Sequence, residues 1–189
     1  MATEKISSKD KILKAALTLF TKKGIKSTTT KELAKKAKVA EGTIYIHFKS
    51  KEEIAHYLFK HYMGVFTQHL TQFSDGITDP GNKMKALINA FFAYAEKEPT
   101  AIYYIVIAHY TELNVLKKEK FTLRDIFADT IENGVKKKQF SKIDKNLGAA
   151  LVVGMINMAV LSYNNGFIDL DYNKIASDTN KAALKLLSR

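Results

Sequence analysis

The sequence predicts an all-α protein: an N-terminal three-helix domain built on a helix-turn-helix over residues 1–50, then a larger helical domain over 51–189. Two observations carry this. Apolar residues recur three and four apart through segment after segment, the spacing of one buried helix face. Helix-start signals punctuate the chain: the pairs Thr29/Glu32 and Ser50/Glu53 read as capping boxes, and Asp79 (followed by Pro80) and Asp144 as N-caps. No internal repeat or low-complexity tract interrupts the pattern, and 46% apolar with 26% charged residues is the composition of a soluble globular chain.

The first helix is expected over Ser8 to Lys23, with Ile12, Leu13, Ala16, Leu17 and Phe20 on its inner face and Gly24 as a left-handed C-cap. Before it, MATEKISSKDK lacks the apolar centre of a secretory signal and reads as a short basic arm. The second helix opens at the Thr29 box and buries Leu33, Ala34 and Ala37, leaving Lys31, Lys35, Lys36 and Lys38 wet. Val39 plugs a tight turn. A third helix, Glu41 to Phe48, turns Ile44 and Phe48 inward and Thr43, Tyr45 and His47 to other faces.

Ser50 then starts a long connector helix, residues 51–73. It carries one apolar stripe through Ile54, Leu58, Tyr62, Phe66, Leu70 and Phe73, and a second through Ala55, Phe59 and Met63. After the loop SDGITDPGN comes a helix bearing Met84, Leu87, Ile88, Phe91, Phe92 and Ala95, then AIYYIVIAHY, apolar nearly all round and so buried. An amphipathic helix is expected over 118–138. The helix from Asp144 to Tyr163 has a centre, AALVVGMINMAVL, shorter than the roughly 20 apolar residues a bilayer needs and interrupted by Asn157. Burial at a subunit interface is the expectation, with Gly148, Ala149, Gly154 and Ala159 admitting a second helix, and Ile175, Thr179, Ala182 and Leu186 forming the stripe of the last helix.

Charge points to a partner. Residues 1–51 carry 13 lysines against 4 acidic residues, net +9, whereas residues 52–189 carry 17 basic against 15 acidic, net +2. Such concentration is the footprint of a phosphate-binding face. A helix-turn-helix sets its second helix in the DNA major groove, N-terminal residues at the base edges. Only Arg124 and Arg189 are arginines, so guanine cannot be read here by the usual bidentate arginine.

Gly24-Ile25, Thr28-Thr29 before Leu33-Ala34, then Gly42, Tyr45, His47-Phe48-Lys49 and Lys51-Glu52-Glu53-Ile54 resemble the DNA-binding segment of TetR-family (tetracycline-repressor-like) regulators over about residues 8–54. The resemblance implies an all-helical homodimeric repressor whose C-terminal domain binds a small molecule and releases palindromic operator DNA, the last two long helices pairing with their symmetry mates. By position it implies phosphate contacts from Tyr45, His47, Lys49 and Lys51, and backbone or base contacts from Thr28 or Thr29 and Thr43. Thr43 is the leading base reader, and Gly42 lets backbone approach DNA. Three positions depart from the family pattern. Lys38 replaces the turn glycine, so the turn either avoids a left-handed conformation or accepts strain. Ala40 removes a serine N-cap, and Glu41 places an acid facing DNA, where it reads cytosine N4 or merely favours the helix N-terminus.

No Gly-x-Ser-x-Gly, Walker or dinucleotide motif occurs, the five histidines lack metal spacing, and with no cysteine neither disulfides nor thiolate chemistry is available. No enzymatic activity, cofactor, metal or membrane partner is expected, and a reducing cytoplasm fits. The ligand-binding candidates are Tyr62, Phe66, Phe91 and Tyr94, with Tyr103, His109, Phe127 and Asn157, an aromatic set with few polar groups that suits a hydrophobic effector. The rival readings are a DNA-binding architectural protein without a ligand, and a helical lipid-binding protein or enzyme with an incidental basic arm.

Overall fold

The computed structural model describes residues 7–111 and 123–188, the side chains of residues 109–111 excepted. The basic arm before residue 7, the start of the helix expected from 118 and the expectation for His109 therefore lie outside the described residues. The described residues form helices α1 (Ser8–Lys23), α2 (Thr30–Ala37), α3 (Glu41–His47), α4 (Lys51–Ser74), α5 (Pro80–Lys97), α6 (Pro99–Thr111), α7 (Leu123–Lys136), α8 (Lys145–Asn164) and α9 (Tyr172–Leu187). They divide into two compact units, Met1–Tyr62 and Met63–Arg189. The boundary falls inside α4, within the stretch read from sequence as a connector.

In the first unit α1 packs on α2 and α3. Ile12, Ala16, Phe20, Leu33 and Ile44 close over a core completed by Ile54, Ala55, Leu58 and Phe59 from the first turns of α4. Gly24 has φ +82° and ψ 162°, outside the left-handed helical region expected for it but within a region that glycine alone adopts freely. Its N–H donates to Phe20 O at 3.0 Å, so it still ends α1.

In the second unit α5 packs on α6, α7 and α9, and α8 on α6, α7 and α9. Asp79 caps α5 through the Asn82 N–H, Asp144 caps α8 through Asn146 and Leu147, and Asp171 caps α9 through Lys174. Just past the end of α7 Lys138 takes φ +58°, while the Gln139 and Phe140 N–H groups return to Gly134 O. Phe140 thereby folds back over Gly134, whose missing side chain makes room for the ring.

Several positions differ from the sequence reading. Phe73 is 57% exposed, because α4 has by then passed its last buried residue on that stripe, Leu70. Gly148 and Ala149 are buried against their own subunit rather than open to another: a Cβ on Gly148 would sit 3.0 Å from Ile131 of α7. Ile175 is likewise internal at 5% exposure. The 20-residue α8 is long and apolar enough by composition to cross a membrane. Within this fold Val152, Val153, Ile156 and Val160 are buried in the second unit, and so is the interrupting Asn157.

Candidate nucleic-acid interface

The helix-turn-helix is fixed from both ends. At the start of α2 the Thr29 hydroxyl accepts the Glu32 N–H at 3.2 Å, and the Glu32 carboxylate accepts the Thr29 N–H at 2.9 Å, the expected reciprocal box. Glu32 also meets Lys23 of α1 at 2.6 Å, tying α1 to α2. The Lys23 ammonium first, then the Thr29 N–H and hydroxyl, hold the Glu32 carboxyl down at about 2, from 4.5. A depressed carboxyl stabilises the fold above its unfolded value and loses that contribution as pH falls toward its folded one. The urea midpoint of wild type should therefore exceed that of Glu32→Gln at neutral pH, with the gap closing between pH 4.5 and 2. A gap independent of pH would mean that Glu32 acts by packing alone.

Lys38 adopts φ 55°, ψ 47°, so the turn keeps its left-handed residue and accepts the strain of a side chain there. The Val39 N–H closes on Ala34 O at 3.1 Å. α3 then starts at Glu41, and its N-cap residue, Ala40, supplies no side-chain cap. Ile44 and Phe48 are buried, which fixes the outer face: Glu41 and Gly42 are exposed, Tyr45 is 56% exposed and Ile46 78%, while Thr43 is half-buried. Gly42 has open space where a Cβ would stand, as close approach of backbone to a ligand requires. Lys38, Thr29 and Lys49 are exposed alongside.

Three of the expected contact residues are committed inward. Thr28 is fully buried and its hydroxyl donates to Gly24 O at 2.8 Å, so its side chain cannot reach DNA. The Lys51 ammonium donates to Lys26 O at 2.8 Å and Thr28 O at 2.9 Å; it closes the loop before α2 onto α4 and is a positioning residue rather than a free cation. His47 is half-buried, its Nε2 bonded to Ser8 Oγ at 2.8 Å. The second capping box is incomplete: Ser50 Oγ accepts the Glu53 N–H, but the Glu53 carboxylate takes the Lys49 N–H in place of that of Ser50. The sequence reading missed Ser8, Thr30 and Ile46. Ile46 was detectable, since helical spacing from Ile44 and Phe48 turns it outward; the other two depend on contacts 39 and 11 residues away.

In the second unit Phe66 meets Phe91 edge-on at 4.7 Å and Tyr94 at 4.9 Å, and Phe66, Phe91 and Phe127 are fully buried. These rings fill one another's space as core. Asn157 is buried, Tyr103 half-buried, and Tyr62 belongs to the first unit. A separate groove of about 650 Å³ lies between α5 and α9 and includes none of the expected ligand residues. The Tyr172 hydroxyl and Asn180 Oδ1, of residues that line it, are buried without hydrogen-bond partners. Burial, then the neighbouring Tyr163, raises the Tyr172 pKa, against a smaller opposing effect of Asn164. On α8 the residues Leu147, Leu151, Gly154 and Met158 form an open stripe, with Leu147 54%, Leu151 42% and Met158 58% exposed. Thr179, Ala182 and Leu186 continue it in kind on α9.

Residues 12–58 match the family described as "Bacterial regulatory proteins, tetR family". The transcriptional repressor KstR2 of Mycolicibacterium smegmatis is 32% identical over 90 residues, 48% of this chain and 44% of that protein. The HTH-type transcriptional regulator YhgD of Bacillus subtilis is 28% identical over 193 residues, 97% of this chain and 98% of its own. The chain aligns with less than half the length of the first curated relatives it matches. Among solved structures, the transcriptional regulator FadR from Bacillus subtilis in complex with stearoyl-CoA shares the fold with a TM-score of 0.74 at 20% identity, over 94% of this chain and 98% of that one.

Proposed function

We propose that this chain, which belongs to the TetR family of bacterial regulatory proteins, is a dimeric cytoplasmic repressor that grips a palindromic operator through α3 and is released by an apolar small molecule. The observation that carries the reading is the outer face of α3. Glu41, Gly42, Tyr45 and Ile46 are exposed on a helix locked by Ile44 and Phe48, in a segment holding nearly all of the chain's excess positive charge. Two such helices occupy successive major grooves when a dimer spaces them by about 34 Å or a multiple. The apolar stripe of α8, with Thr179, Ala182 and Leu186 of α9, is the surface that supports dimerisation. The effector reading rests on the aromatic second unit and on the acyl-CoA bound by the FadR structure, and α4, continuous through both units, is the element that couples them.

Selection of bound sequences from random duplex DNA tests this, with a palindrome as the expected result. Affinity should fall steeply with salt as lysines displace counterions. Lys49→Ala should flatten the log–log salt slope by about one unit, whereas Lys51→Ala, its ammonium held by two carbonyls, should leave the slope unchanged. Stearoyl-CoA titrated with and without operator tests the switch, since linkage requires each to weaken the other by the same factor. Equal affinities would favour the architectural reading, which the mutual packing of Phe66, Phe91 and Tyr94 also accommodates.

A further inference from the structure

Glu41, the first residue of α3, is a carboxylate on the face proposed to meet DNA. A carboxylate there repels phosphate, so its presence lowers affinity for every sequence unless it discriminates among them. The simplest alternative is that it favours the N-terminus of a helix that has no side-chain cap. The geometry gives the carboxylate a partner outside its own helix as well. Among the described residues no α3 amide donates to Glu41 and no lysine pairs with it. Its partner is the hydroxyl of Thr30, the first residue of α2, which donates to Glu41 Oε1 at 2.8 Å. The Tyr45 hydroxyl in turn donates to Thr30 Oγ1 over a longer 3.4 Å.

The direction of these protons matters. Tyr45 gives its proton to Thr30, and Thr30 gives its proton to Glu41, so the chain of hydroxyls ends on the carboxylate. Glu41 and Tyr45 are both exposed, and what remains to them after these bonds is acceptor capacity: the second carboxylate oxygen of Glu41 and the phenol oxygen of Tyr45. An acceptor-only patch matches base edges that carry an amino group. In the major groove these are cytosine N4 and adenine N6, while guanine and thymine offer acceptors. Adenine sets its N7 acceptor beside its amino group and is best matched by an amide, whereas cytosine offers the donor alone.

We propose that Thr30 positions Glu41 as a reader of cytosine, so that each operator half-site holds a cytosine opposite the start of α3. The inference rests on the DNA-binding reading above and goes beyond it in naming the base and the residue that sets the choice. Left unheld, a glutamate samples several rotamers, and the Thr30 hydroxyl holds it in one of them, on the face proposed to meet DNA.

Sequence selection with wild type, Thr30→Val, Thr30→Ser and Glu41→Gln decides the matter, each variant's fold checked by circular dichroism and melting. Wild type should show one cytosine per half-site preferred by about fivefold or more. Thr30→Val should flatten that one position and leave the others intact, Thr30→Ser should restore it, and Glu41→Gln should move the preference toward adenine. Thr30→Val combined with Glu41→Gln should differ little from Glu41→Gln alone, because Thr30 acts through Glu41. Equal weakening on all sequences by Thr30→Val would overturn the proposal and make Thr30 a phosphate or packing residue. An unchanged profile in Glu41→Gln would remove the carboxylate as a reader. If wild type selects no sequence at all, it is the DNA-binding reading that fails, and this inference falls with it.

Discussion

Leu151→Glu combined with Met158→Glu is expected to convert the protein to a monomer and to lower operator affinity by about 10²- to 10⁴-fold, the advantage lost when two linked contacts become one. Both side chains are about half exposed on α8, so the glutamates replace surface that the subunit's own core does not use. In a dimer the same positions would bury four carboxylates against apolar neighbours, a cost that no local rearrangement removes. Gly154 lies between them with open space before it, which allows a second helix to come close. Sedimentation and DNA titration read the two effects separately. A double variant that stays dimeric and binds normally would place the interface elsewhere.

Gly134→Ala should cost about 1–3 kcal/mol, or more if the ring has nowhere to go. The new methyl group would overlap the Phe140 ring, which is 5% exposed and held by its own N–H bond to Gly134 O. For a chain of this size each kcal/mol lowers Tm by about 2–4 °C. Phe140→Ala removes the ring at a comparable or larger cost, about 3–5 kcal/mol for a buried phenylalanine. Because both changes act on one contact, the double variant should be clearly less destabilised than the two singles added together. Strict additivity in urea melts would show that the ring swings aside and that Gly134 matters only to the end of α7.

The helices were legible because their causes are local. The Thr29 box, the aspartate caps at 79 and 144, and the spacing of Leu33, Ala34 and Ala37 lie within a few residues of what they determine. Which faces α3 leaves outside was legible for the same reason, since burying Ile44 and Phe48 turns the remaining faces of a short helix away from the core. What escaped were side chains whose partners are distant in sequence. Nothing near Thr28 says that it will be buried, and nothing near Lys51 says that its ammonium will seek carbonyls 23 and 25 residues back. The aromatic set shows the same limit. Helical spacing reports that Phe66 and Phe91 point inward, but not whether they meet an open cavity or each other, and they meet each other.

The placement of the unit boundary within α4 bears on how this gene can change. Boundaries between compact units ordinarily fall in loops, where insertions and deletions are absorbed. Here the backbone from Tyr62 to Met63 belongs to one uninterrupted helix. One codon gained or lost there would turn every later residue of α4 by about 100° around the helix axis, since a turn holds about 3.6 residues. Phe66 and Leu70, both fully buried, would be carried off the core face. Changes in steps of three or four codons come closest to restoring the phase. Recombination that joins this first unit to a different second unit therefore has to respect helical register as well as reading frame, and relatives that exchanged halves should differ in α4 length by near-whole turns or not at all.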